Sequence, residues 1–337
     1  MKPAVIIPWR EGETELQATI ESASASIGKG VVIPIEDKAG DGPAMTRHRG
    51  IEHATDADII VIVDAHMTFD GPVLRDMARE VARRGGLLCA KCYHNEGCTW
   101  EGGAMYYCGA DIHYQGQDQN GAQALLWKWS ADQNPGKRAC IGGACYVFKR
   151  SWYYETGQCL SALPAWGCDE EALSISAWLS GHEPRVYDGR VAHRWRAKTP
   201  WTAAARPIVM SRAALICGVA SDVDDRNNLL RYQGVQPVES VEVQRWRAAL
   251  LKLPRAWAQW KKEVPVMAKQ KAETKREDQK RAPPASRANY GATENLRLCP
   301  KCQSDQSKVT NTRQVGRLTF RYRTCSKCGR KRITRQG

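Results

Sequence analysis

Long apolar runs are missing from this 337-residue chain: none reaches the 18 or so residues that a membrane-spanning helix needs. A secretory signal is not expected either. Met1-Lys2-Pro3 followed by Ala4-Val5-Ile6-Ile7-Pro8 is too short and too soon interrupted to form the apolar core of one. These absences lead to the expectation of a cytoplasmic protein with no membrane partner, in the host cytoplasm if viral. A disulfide framework is also unexpected, because 13 cysteines, an odd number, are scattered along a chain without an export signal. Core packing and metal binding are the roles left for them. Large apolar side chains almost vanish between residues 263 and 296, a Lys/Glu/Arg/Ala/Pro-rich stretch that cannot bury a core and reads as linker.

Acidic residues run short in one region only. Residues 252–337 carry 23 Lys/Arg against 6 Asp/Glu, a balance of +17, while residues 1–251 carry 27 against 30, or −3, giving the net +14 of the chain. The basicity therefore belongs to the tail, and a near-neutral body with a basic appendage points to a polyanionic partner, nucleic acid first. A solvated basic linker accounts for part of the same run.

The length and the 42% apolar content suit one large α/β domain with a small appendage. Ala4–Pro8 reads as a first strand, a helix opens at Glu11-Gly12-Glu13, and Val31–Ile35 reads as a second strand ending in Glu36-Asp37. A Gly-rich loop leads into a helix from Thr46 to Ala54, and the β-branched run Ile59–Val63 is a buried parallel strand. This alternation within about 65 residues is the pattern of a parallel sheet with crossover helices. Further on come a helix over 71–84, strands and loops over 85–140 around an acceptor cleft, a Gly142–Phe148 strand, and Trp166-Gly167-Cys168-Asp169-Glu170-Glu171 capping a helix through Leu179. Short strand pieces at Val186-Tyr187 and Val191–His193 follow, and then helical sequence from about 205 to 262. The expected domains are 1–205 (catalytic), 206–262 (helical extension), 263–296 (basic linker) and 297–337 (ribbon).

The Ile59–Val63 run ends in Asp64-Ala65-His66, so it delivers a carboxylate and an imidazole to the edge where open α/β sheets hold their ligands. Two residues apart, they share a side in extended geometry, and the pair suits a borderline divalent ion such as Mn²⁺. Alone, the pair also fits an exposed loop acid and a satisfied histidine. The triplet Asp169-Glu170-Glu171 offers carboxylates for acid–base work and equally fits helix capping. Cys89 and Cys92, with His94, Cys98, Cys108 and His113 nearby, offer donors for a second zinc site, but their spacing matches no metal-site pattern and they read first as free, partly buried thiols. In the tail, Cys299-x-x-Cys302 and Cys325-x-x-Cys328 are separated by 22 residues, a four-thiolate pattern suited to tetrahedral Zn²⁺. Arg313, Arg317, Arg321, Arg323, Arg330, Lys331, Arg332 and Arg335 lie among and after these knuckles, with Phe320 and Tyr322 interleaved.

The order of these features resembles a GT-A glycosyltransferase of the family-2 type over residues 4–196. Val5-Ile6-Ile7-Pro8-x-x-Glu11 is similar to the family's nucleotide-binding first strand, which implies that Pro8 and Glu11 lie against the donor. Asp37 matches the acid placed against uracil or ribose, and Arg47 matches the Arg of an Ala-Arg-Asn loop, here Thr46-Arg47-His48. Asp64-Ala65-His66 resembles the Asp-x-His form found in polypeptide N-acetylgalactosaminyltransferases, whose third ligand comes from a Val-Gly-His, here Val191-Ala192-His193. Trp166-Gly167-Cys168-Asp169 resembles that branch's Trp-Gly-Gly-Glu.

The resemblance implies an Mn²⁺ or Mg²⁺ ion held by Asp64, His66 and His193, a UDP-sugar donor against Pro8, Glu11, Asp37, Arg47, Asp64 and Trp166, and Asp169 or Glu170 as the catalytic carboxylate. The tail resembles the zinc ribbons of bacterial ribonucleotide-reductase repressors and small phage activators. A sugar-transferring body joined to such a ribbon implies that the acceptor is nucleic acid. The expected enzyme is a phage-type DNA glycosyltransferase that moves a hexose to the hydroxyl of a 5-hydroxymethylpyrimidine, 5-hydroxymethylcytosine first, with no obligate protein partner. Trp100, Trp127, Trp129 and Trp152 are available either as stacking surfaces for a displaced base or as core. Two other functions fit the same residues: a cytosolic glycosyltransferase acting on a protein or polysaccharide, and a non-catalytic zinc-ribbon DNA-binding regulator.

Overall fold

The computed structural model describes residues 1–38, 41–94, 105–115, 124–130, 132–164, 167–194, 205–264, 307–315, 318–327 and 331–336. They fall into two compact units, Met1–Lys275 and Arg276–Gly337.

The first unit opens with β1 (Pro3–Trp9), α1 (Leu16–Ile27), β2 (Val31–Glu36), α2 (Gly42–His53) and β3 (Ile59–Val63). β1 pairs in parallel with both β2 and β3. It continues through β4 (Met67–Phe69), α3 (Val73–Arg84), β5 (Leu88–His94), β6 (Met105–Tyr107), β7 (Ala110–Gln115), β8 (Ala124–Trp129), β9 (Gly136–Lys137), β10 (Cys145–Lys149), α4 (Arg150–Glu155), α5 (Asp169–Leu179) and β11 (Arg185–His193). The nine-stranded sheet runs β2-β1-β3-β10-β5-β11-β4, with β6 against β5 and β9 against β11; β7 and β8 form a separate pair. β10 is antiparallel to β3 and β5, and β4 is antiparallel to β11, so the sheet is mixed around a mostly parallel set.

Strand alternation divides the core between the two faces. Ala4, Ile6, Ile60 and Ile62 join a cluster with Tyr146, Phe148 and α5, whereas Val5, Ile7, Ile59, Val61 and Val63 join one with Leu74, Met77 and Val81 of α3. Every residue of β3 is at most 1% exposed, and each such Val or Ile contributes about 1.5–3 kcal/mol by leaving water. The expected strand is an interior strand of the sheet, between β1 and β10. Against the first cluster also pack α6 (Ala205–Val219), α7 (Val223–Gln233) and α8 (Val241–Leu250), the last through Trp246, whose Nε1 donates to Ser176 Oγ at 3.1 Å. The helical extension is thus part of the same unit as the sheet.

Some boundaries differ from those expected. The first helix begins at Leu16, after a turn over residues 11–15, and the second begins at Gly42 with Pro43 in its first turn, where a missing N–H costs nothing. The two pieces at 186–193 are one strand, interrupted by a register shift between Tyr187 and Arg190. Helix α1 carries a row of short polar side chains at helical spacing that serve the neighbouring backbone. Thr19 Oγ1 donates to the Ala65 carbonyl and accepts from the Met67 N–H, both at 3.0 Å, while Ser22 and Ser26 accept from Phe69 and Leu74, each at 3.1 Å. This clamps the segment that follows β3.

In the second unit, β12 (Ser307–Val315), β13 (Leu318–Cys325) and β14 (Lys331–Gln336) form an antiparallel meander. In its register Arg313 and Arg335 both stand opposite Phe320, and Arg332 stands opposite Arg323.

Candidate active site

The parallel strands β1, β2 and β3 end at one edge, which brings Pro8, Asp37 and Asp64 to the same side of the sheet. β3 stops at Val63, so Asp64 and His66 lie in a bend rather than on one face of a strand. They converge because the bend is clamped by Thr19 and because Arg194 N–H donates to the His66 carbonyl at 3.0 Å. β11 runs antiparallel to β4 with His193 opposite Met67, and so returns its last residue to the bend.

Asp64, His66 and His193 consequently offer ligand atoms that all lie within 4.8 Å of one another. His193 Nε2 is 3.3 Å from Asp64 Oδ2, and the two imidazoles meet edge to face with centroids 4.5 Å apart. One carboxylate and two imidazoles are a donor set suited to Mn²⁺. Atoms on one ion at about 2.1 Å would stand about 3–4 Å apart, so only a small contraction is needed. The residues present fit a divalent cation.

Arg47 anchors the other side of Asp64. Only 6% exposed, it donates from Nη2 to Asp64 Oδ1 at 3.0 Å and forms an ion pair through Nη1 with Asp169, which is 3% exposed. Its guanidinium also lies 5.7 Å from the centre of the Tyr146 ring. Burial opposes the Arg47 charge, but Tyr146, Asp64 and Glu170 outweigh it and its pKa is raised above the ordinary value. Burial likewise works against the Asp64 carboxylate; the hydrogen bond with His193 and the Arg47 charge override it and hold the group at about 2. Asp64 is therefore an anion at any working pH.

The two expected catalytic carboxylates separate in role. Asp169 is committed to Arg47, whereas Glu170 lies against Gly143, where an added Cβ would meet Glu170 Oε1 at 1.7 Å. Only glycine permits that approach. Burial raises the Glu170 pKa above the ordinary carboxylate value, and the Arg47 charge partly offsets it. Glu171, the next residue, is pushed up to about 8 by burial and by Glu170.

Just beyond β2, Asp37 is held on both oxygens, by Arg10 at Oδ2 and by the Thr46 hydroxyl at Oδ1, 3.0 Å away. Pro8 is half-buried beside Ile35. Glu11 is exposed at the turn, and the acid of that loop that reaches the metal-binding group is Glu13, whose Oε2 is 3.4 Å from His66 Nδ1. Sequence reasoning missed Glu13; its only signal was its place in the first loop. It also missed Tyr146, which reads as an ordinary strand aromatic.

Cys89, Cys92 and Cys108 are buried free thiols, and burial lifts the first two to about 12, so they are packing residues. Trp152 belongs to the core: its ring meets Phe148 at 5.6 Å and its Nε1 donates to Ser180 Oγ at 2.9 Å. Trp100, Trp166, Cys299, Cys302 and Cys328 lie outside the described residues, as do the side chains of Trp127, Trp129 and Cys325, the last residue of β13. No helix among the described residues is long and apolar enough to cross a membrane.

No protein-family model matches the sequence, and no match emerged among curated proteins. Solved structures do resemble it. The chain is similar to GalNAc-T7 crystallised with UDP, GalNAc and Mn²⁺, at a TM-score of 0.59 and 15% identity over 79% of this chain and 57% of that one. The match thus spans little more than half of GalNAc-T7. Weaker likenesses are to the catalytic domain of Drosophila beta1,4-galactosyltransferase 7 in complex with xylobiose (TM-score 0.41, 13% identity, 61% of this chain and 77% of that one) and to S. aureus TarS 1–349 (0.41, 10%, 74% and 71%). The Met1–Lys275 unit has the GT-A glycosyltransferase fold, as the order of its sequence motifs implied.

Proposed function

We propose that this chain is a metal-dependent glycosyltransferase that moves a hexose from a UDP-sugar to the hydroxyl of a 5-hydroxymethylpyrimidine in DNA, 5-hydroxymethylcytosine first. The observation that carries the transferase reading is the convergence of Asp64, His66 and His193 at the carboxyl edge of a GT-A sheet. When bound there, a divalent cation supplies Lewis acidity toward the charge that develops on the departing diphosphate. Asp64, His66 and His193 hold it, and the Arg47 bridge between Asp64 and Asp169 keeps the anionic ligand oriented. Asp37, anchored by Arg10 and Thr46, faces the nucleoside end. Glu170 receives the proton of the attacking hydroxyl as the new bond forms at the anomeric carbon and the bond to the diphosphate breaks.

The DNA acceptor rests on charge. The +17 balance of residues 252–337 and the arginines spread over β12, β13 and β14 favour a phosphate backbone as partner. A Zn²⁺ ion on Cys299, Cys302, Cys325 and Cys328 would staple a unit with few apolar residues, and the ribbon would raise the local concentration of acceptor.

The test is incubation with UDP-hexoses, Mn²⁺ and DNA containing cytosine, 5-hydroxymethylcytosine or 5-hydroxymethyluracil, read by nucleoside mass spectrometry. A hexose mass on a hydroxymethylated nucleoside alone is the expected result. Metal-dependent donor turnover with no mass gain on any DNA would contradict the acceptor and direct the search to a protein or glycan.

A further inference from the structure

The metal-binding group has a neighbour that none of its motifs contains. Glu13 sits in the turn between β1 and α1, where Gly12 adopts φ +88° and the Glu13 N–H returns to the Arg10 carbonyl at 3.1 Å. A left-handed residue at position 12 folds the loop back, so the Glu13 side chain points inward and is only 5% exposed. Its Oε2 lies 3.4 Å from His66 Nδ1, a buried nitrogen that makes no hydrogen bond among the described residues. That separation is about 0.5 Å longer than an ordinary N–H···O bond. Glu13 is not one of the residues whose ligand atoms gather within 4.8 Å, and its contact with the group is the one at His66 Nδ1.

A carboxylate buried behind a ligating imidazole has a defined chemical use. It accepts the Nδ1–H, fixes the tautomer in which Nε2 carries the free lone pair, and raises the basicity of that nitrogen. The loop that supplies Glu13 leads directly into α1, the helix whose Thr19 clamps the backbone on either side of His66. Backbone and ring are therefore governed from one element.

We propose that Glu13 is the positioning residue of the metal site: it holds His66 as the Nδ1–H tautomer and leaves Nε2 as the ligating atom. This inference rests on the reading of Asp64, His66 and His193 as a divalent-cation site. It assigns Glu13 no contact with the donor or the acceptor.

The experiment uses the full chain and Mn²⁺ alone, with affinity measured by the electron paramagnetic resonance of free Mn²⁺ and the His66 tautomer by ¹⁵N-detected histidine spectra of the metal-free protein. Glu13→Ala is expected to weaken Mn²⁺ binding by about 10–100-fold and to remove the Nδ1–H signature of His66. Glu13→Gln, which keeps an acceptor oxygen in the same volume, is expected to fall between wild type and Glu13→Ala and carries the test if the alanine variant does not fold. Unchanged affinity and tautomer in both variants, with wild type binding Mn²⁺ and Asp64→Asn not, would overturn the role of Glu13 and leave the site standing. A wild-type protein that binds no Mn²⁺ would overturn the site and this inference together.

Discussion

The two units of this chain reach order by different means. The Met1–Lys275 unit buries a nine-stranded sheet between two apolar layers, and residues 1–251 within it are close to neutral. The Arg276–Gly337 unit has a three-stranded meander whose register sets arginines against Phe320, with too few apolar residues to enclose a core. In the first, apolar burial carries the polar site as an expense. In the second, charge is the main content of the sequence, and the proposed Zn²⁺ on the four cysteines would supply a cross-link in place of a core.

That contrast yields its sharpest test in the tail. Replacing Cys299 and Cys302 by Ser should unfold the ribbon, since a structural Zn²⁺ is worth about 10–16 kcal/mol, and lower DNA affinity by roughly 100-fold or more. The thermal midpoint of the body and slow UDP-sugar hydrolysis should not move. Parallel loss of both in calorimetry and donor turnover would show that the units are not independent.

Within the body the largest effect is expected at the metal-binding group. Asp64→Asn removes the one anionic ligand and leaves Arg47 half-unpaired, so Mn²⁺-dependent turnover should drop by about 1000-fold with the fold intact by circular dichroism. Gly143→Ala is next. Its Cβ would overlap Glu170 Oε1, and the displaced carboxyl should cost about 1–3 kcal/mol of stability and most of the transfer rate, measured by denaturant titration and by product formation.

A smaller effect follows from Glu171. Its carboxyl ionises at about 8 in the folded chain but near its ordinary value when unfolded, so the folded state binds the extra proton between those limits. Stability from this group is complete below about pH 4 and falls as pH rises toward 8. Glu171→Gln should therefore melt with wild type at pH 4 and above it at pH 8; a constant difference across that range would contradict the assignment. The smallest effect is expected at Cys168, which caps α5 with φ 70° and stands where the resembling motif has glycine. Cys168→Gly should stabilise by about 1 kcal/mol in equilibrium unfolding.

Much of the site was legible because its residues occupy strand ends, and strands announce themselves by apolar runs. Asp37, Asp64 and His193 each end or follow such a run, and their meeting requires only that the strands lie side by side. Arg47 was legible from its motif, but its bridge from Asp64 to Asp169 depends on two elements about 120 residues apart. Glu13 and Tyr146 were not legible. The first reaches His66 through the conformation of a single turn, and the second differs from any core aromatic only by the cation beside it. Asp-x-His also misled in one respect: the pair converges through a clamped bend and not through strand alternation.

The most direct test of the central claim is anomalous diffraction at the manganese edge from crystals of the full chain grown with UDP and Mn²⁺. The account predicts a single strong peak within coordination distance of Asp64, His66 and His193. Clear density for UDP along the β1–β3 edge with no peak among those three side chains would contradict it.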